Sequence, residues 1–167
     1  MNHELQRFAA TMKVDDPASE PLRLAFGLAC VERVEHLLED RRAIACLATL
    51  AAFVAGNAGR SELAAASNTI AVIANAHRGA NSIDGAAHAA VSATYAAANA
   101  LAGRALDAAS YAAYASVYAY GGYAVNDPSA FESEFEWQVG KATELTRLFA
   151  GRGPDSRGNP EPHAGAA

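Results

Sequence analysis

The 167 residues and 17.3 kDa of this chain fit one domain of ordinary size, because two independent cores would each be small. About 43 residues are alanine, roughly a quarter of the chain, and only 8% are aromatic; alanine favours helices and is depleted from strands, which excludes an all-β protein. Charged residues at 19% exclude wholesale disorder, and a net charge of -5 with no basic stripe points away from binding nucleic-acid phosphates.

Start and stop signals divide the chain into helices. Asn2 to Met12 forms a short, weakly patterned segment closed by the Asp15-Asp16-Pro17 turn, and residues 1–18 stand apart from the rest. Ser19 and Pro21 open a helix from Glu20 to Glu39, with Leu24, Leu28, Val31, Val34 and Leu38 at helical spacing. Asp40 caps Arg41 to Ala55, which stops at Gly56. Ser61 caps Glu62 to Arg78 before Gly79, and Ser82 with Asp84 opens Ile83 to Ala102 before Gly103. Asp107 opens Ala108 to about Tyr120, stopped by Gly121-Gly122. The last helix is the best marked: Asp127 caps it, Pro128 takes its first position, and Gly151 follows Ala150.

Residues 151–167 hold three prolines, four glycines and no large apolar side chain, the composition of a disordered tail. Residues 19–150 then form the domain: all-α, a single antiparallel helical bundle or short helical array of about six helices joined by short loops. The alanine-rich middle, Glu62 to Tyr120, is expected at its centre, since such helices approach closely.

Cys30 and Cys46 lie in apolar helical patterns and read as buried free thiols of a reducing compartment. Met1 to Met12 has no apolar run of a secretory signal, and Ala43 to Gly56 is shorter than the roughly 20 residues of a spanning helix. The expectation is a cytoplasmic protein with no membrane segment.

His77, Asp84 and His88 form the one group that resembles a metal site; Asp84 and His88 share a helix face, but no fourth ligand is apparent. No phosphate loop, dinucleotide fingerprint or nucleophile elbow occurs, so the reading carries no catalytic residue and no cofactor. Two features point to a partner. Tyr111, Tyr114 and Tyr118 share a helix face, and Asp127, Glu132, Glu134 and Glu136 follow with no intervening Lys or Arg. Each also has a plainer reading, as bundle edge and as dipole complement at a helix start. Glu32, Glu35 and Glu39 line up on the second helix as a solvated face, Arg41 and Arg42 read as structural partners of nearby acids, and Trp137 reads as core.

The stretch Ala29-Cys30-Val31-Glu32-Arg33-Val34, the helix start Asp40-Arg41-Arg42-Ala43-Ile44, the run Ala105 to Ala115 and Glu136-Trp137-Gln138 together resemble the alanine-rich, α-helical immunity protein family of bacterial polymorphic toxin systems. The resemblance covers about Leu22 to Phe149; the chain departs from that pattern in its N-terminal segment, its tail and a very short connection between the second and third helices. The resemblance implies a non-enzymatic protein that neutralises a toxin domain by stoichiometric occlusion. On this reading Glu132, Glu134 and Glu136 meet the partner, with Tyr114 and Tyr118 as aromatic anchors. The rival readings are a self-associating helical protein with the tyrosine stripe at a dimer contact, and a small-molecule or metal-binding bundle.

Overall fold

Capping side chains and glycines set most of the helix limits. The computed structural model describes residues 2–77 and 86–151, with side chains in the second stretch described from His88 onward. Seven α-helices form among the described residues: α1 His3–Thr11, α2 Glu20–Glu32, α3 Arg41–Val54, α4 Arg60–Ala76, α5 Ala86–Leu101, α6 Ala105–Tyr120 and α7 Glu132–Ala150. The described residues contain no strand, and the all-α reading holds. None of these helices is long and apolar enough to cross a membrane.

Asp40 caps α3 by accepting the Arg42 N–H at 2.8 Å, and Asp127 accepts the Ser129 N–H at 2.9 Å at the start of a 3-10 turn, Pro128–Phe131, that runs into α7. Gly103, at φ 70°, ends the α5 turn in the left-handed region that glycine adopts without strain.

Four expected limits move. The last helix begins at Glu132, not Pro128: Asp127 caps the 3-10 turn Pro128–Phe131, and Phe131, which makes no side-chain cap, precedes the first residue of α7. The second helix stops at Glu32, not Glu39, and a 3-10 turn at Glu35–Leu37 follows. Val34 and Leu38 still reach the core from that turn, so their burial does not require a continuous helix, and Glu32, Glu35 and Glu39 do not share one helix face. α4 begins at Arg60, with the Glu62 carboxylate accepting the Gly59 N–H at 2.7 Å, which displaces Ser61 from the cap. α6 begins at Ala105, ahead of Asp107, which lies in its first turn. The expected cap at Ser82 and Asp84 and the tail beyond Gly151 lie outside the described residues.

α2 is the enclosed helix: every residue from Leu24 to Val31 is buried, against α3, α5, α6 and α7. α5 and α6 form an antiparallel hairpin whose inner faces are methyl groups. Ala93, Ala96, Ala97, Ala100, Ala108, Ala112 and Ala115 have no exposed surface at all. Small side chains bring backbones together, so dispersion contacts between main chains replace the burial of large side chains. The centre is therefore α2 with the α5–α6 pair, while α4 lies to one side on α3 and α5. Cys30 and Cys46 are buried, and removal from water pushes both thiols up in pKa.

The N-terminal segment joins this core. Asn2 caps α1 by accepting the Leu5 N–H at 3.0 Å, and its amide donates to the Phe135 carbonyl at 3.0 Å and to Gln138 Oε1 at 3.2 Å. Gln138, buried in α7, donates in turn to the Ala109 carbonyl of α6 at 2.8 Å. Two side-chain amides thus tie α1, α7 and α6 through groups that burial would otherwise leave unsatisfied.

Candidate functional site

The alanines that close the α5–α6 hairpin leave its large side chains on the outside. A helix with methyl groups inward at Ala108, Ala112 and Ala115 must carry Tyr111, Tyr114 and Tyr118 on its remaining surface. Tyr111 and Tyr114 are 39% and 37% exposed, and Tyr118 is half-buried. The rings form two groups. Tyr111 stacks on Tyr95 of α5 with centroids 5.3 Å apart. Tyr118 lies 5.3 Å from the His88 ring of α5 and 6.2 Å from Tyr114, which meets Phe131 edge-on at 5.2 Å; Phe131 in turn lies 5.5 Å from Phe135 of α7. These separations suit attractive quadrupole contacts, and each ring fixes its neighbour.

The result is an aromatic strip from the start of α5, across α6, to the start of α7. Tyr120, the last residue of α6, and Tyr123 are 88% and 79% exposed and share no ring contact with the strip among the described residues. Glu132 and Glu136 each follow one of the two phenylalanines by one residue, about 100° further round α7, and both are exposed. Neither makes an ion pair among the described residues. Between residues 86 and 140 the sequence offers Arg104 alone among lysines and arginines, against Asp107, Asp127, Glu132, Glu134 and Glu136.

Glu134 does not belong to this surface. It is 3% exposed and faces the core, where Arg33 at the end of α2 holds it with Nε–Oε2 at 2.9 Å and Nη2–Oε2 at 2.8 Å. The reason is helical period: Glu134 lies on the side of α7 that carries Gln138 inward, opposite the exposed Glu132 and Glu136. The same guanidinium stands 4.2 Å above the ring of Trp137, which is half-buried at the edge of the core. Tyr114, Tyr118, Glu132 and Glu136 are thus accessible, and Glu134 is a structural partner.

Tyr95 and Phe131 complete the strip without a mark in the sequence, and His88, singled out there only beside His77 and Asp84, joins it against Tyr118, since each takes its place only when α5, α6 and α7 pack. The spacing of Tyr95 from Tyr111 across the Gly103 turn is the one clue, because an antiparallel hairpin brings those positions level.

His77 and His88 face different surroundings. His77 lines a surface cleft of about 360 Å³ with Glu39, Asp40 and Arg42, and His88 lies against Tyr118. Asp84 lies outside the described residues, and no group of three or more His, Cys, Asp or Glu among the described residues could hold a metal ion. Arg42 pairs with Asp40 at 2.7 Å, a local structural contact. Comparison of the chain with protein-family models, with curated proteins and with solved structures finds no match.

Proposed function

We propose that this chain is a non-enzymatic protein-binding module that docks a protein partner on the aromatic strip of α5, α6 and the start of α7. The observation that carries the reading is the inversion of α6: its methyl groups pack inward while Tyr111, Tyr114 and Tyr118 stay accessible. Tyrosine offers large contact area at small conformational cost and is enriched where proteins meet. Exposed Glu132 and Glu136 beside it favour a basic partner through steering and complementarity.

With the resemblance of residues 22–149 to immunity proteins of polymorphic toxin systems, the finer proposal is that the partner is a toxin domain, neutralised by stoichiometric occlusion. The test is capture of the partner from the native cells on tagged protein, with wild type and a Tyr114→Ala/Tyr118→Ala variant in parallel, followed by co-expression of that partner with each. A one-to-one partner held by wild type and lost by the folded variant supports docking on the strip, and relief of its toxicity by wild type alone supports immunity. Equal capture by both proteins overturns the site. Sedimentation that shows a dimer lost in the same variant favours the self-associating reading instead.

A further inference from the structure

We infer that the partner segment received by this face presents arginine side chains, each guanidinium laid over a tyrosine ring and paired with a carboxylate of α7; the inference rests on the docking reading above. The chain builds this arrangement twice for its own use. Arg33 lies 4.2 Å over the Trp137 ring while it pairs with Glu134, and Arg60 lies 5.2 Å from the centre of the Phe53 ring while it pairs with Glu20. In both, one guanidinium is shared between a ring and a carboxylate. A planar guanidinium can satisfy both at once, whereas the compact ammonium of lysine has no edge and face to divide.

The exposed side of α7 repeats the components with no cation among them. Phe131 supports the Tyr114 ring and is itself backed by Phe135, Glu132 and Glu136 follow the two phenylalanines in the next positions, and Tyr118 presents a half-open ring beside Tyr114. The one basic residue of this stretch, Arg104, is already engaged by Asn99 Oδ1 at 2.7 Å, with Asp107 at 3.9 Å. Carboxylates and π-faces together attract a cation, and the exposed acids repel both a second copy of the same face and the phosphates of a nucleic acid.

Titration of the full chain at low ionic strength with an eight-residue peptide of alternating arginine and glycine, beside its lysine counterpart, reads the inference directly by calorimetry and by NMR of the tyrosine rings. The arginine peptide should bind about tenfold more tightly than the lysine peptide, with shifts at Tyr114 and Tyr118. Tyr114→Leu/Tyr118→Leu should lose about tenfold and Glu132→Gln/Glu136→Gln several-fold, with helical content and cooperative unfolding retained in both. Equal affinity for the two peptides, absence of binding at millimolar arginine peptide, or full binding by the leucine variant overturns it. The two proposals fail separately: a captured partner that needs the tyrosines but binds equally well after its interface arginines are changed to lysine removes the guanidinium inference and leaves the docking face.

Discussion

Gly27 of α2 and Ala100 of α5 meet backbone against backbone: a Cβ placed on Gly27 would lie 3.1 Å from both the Cα and the Cβ of Ala100. Neither atom can swing aside as the end of a flexible side chain could. Gly27→Ala gains about 0.5–1 kcal/mol of helix propensity but overpacks a closed contact, which costs about 1–3 kcal/mol, so net destabilisation is expected. Gly140 is the control, since it lies within α7 with nothing within 4 Å of its Cβ position. Gly140→Ala should stabilise by about 0.5–1 kcal/mol. Urea unfolding of the two variants should give midpoints displaced in opposite directions, and equal displacement would refute the close approach.

The Arg33–Glu134 pair has one exposed and one buried member, with side-chain exposures of 39% and 4%. Arg33→Met leaves the buried carboxylate unpaired, a change that costs about 3–5 kcal/mol in a fully buried pair and less here because water reaches the guanidinium. A loss of about 2–3 kcal/mol is expected on that basis, and Arg33→Met/Glu134→Leu should recover part of it. Trp137 is the only tryptophan, so its emission should shift when the cation above its ring is removed. An unchanged urea midpoint with an unchanged emission maximum would show that the pair contributes nothing.

Gln138 is 1% exposed and spans Asn2 and Ala109. Gln138→Met keeps the volume and removes both hydrogen bonds, leaving the Asn2 amide one acceptor fewer; a cost of about 1–3 kcal/mol follows. The effect should concentrate on α1, with faster amide exchange at Leu5, whose N–H is held by Asn2. Exchange that accelerates evenly over all helices would argue against a local clasp.

Three carboxyls give the acid side of the stability profile. Hydrogen bonds from the Arg60 guanidinium hold Glu20 below its ordinary value, those from the Arg42 side chain and backbone do the same for Asp40, and those from the Ser129 hydroxyl and N–H for Asp127. A carboxyl with a depressed folded pKa binds its proton more readily when unfolded, so its contribution is complete above the unfolded value and is lost as pH falls through the folded one. With ordinary values of 4.5 for Glu20 and 3.8 for the two aspartates, stability should be level above about pH 5 and decline below about pH 4. Asp40→Asn/Asp127→Asn retains capping oxygens without the titration and should flatten that decline, measured as unfolding midpoints from pH 3 to 7. A variant that follows the wild-type acid limb would remove these residues from the account.

Local chemistry explains why some of this was legible in the chain and some was not. Asp40 and Gly103 act through groups a few residues away, so their cap and stop can be read directly, whereas Asp127-Pro128 marks a chain turn whose first four residues are 3-10, with the α-helix starting only at Glu132. The end of α2 is decided elsewhere: apolar spacing continues through Val34 and Leu38, yet a 3-10 turn buries both while Arg33 reaches a residue 101 positions on. Glu134 was misplaced for the same reason, since an acid in an acidic run looks solvated until its distant cation is known. The tyrosine stripe could be read as a stripe, but its exposure depends on Ala108, Ala112 and Ala115 having claimed the inner face, a choice made by packing against α5 and α2.

An interface of methyl groups has no rotamers. Where the α5–α6 hairpin closes through alanines, a side chain altered on the outer face has no neighbour within that seam whose torsion angle can change in response. Substitutions on the strip should therefore act independently wherever rings do not touch, Tyr111 apart from Tyr118 for example, and combine additively in affinity. A surface on so stiff a base can change its specificity one ring at a time, while the helices beneath it keep their places.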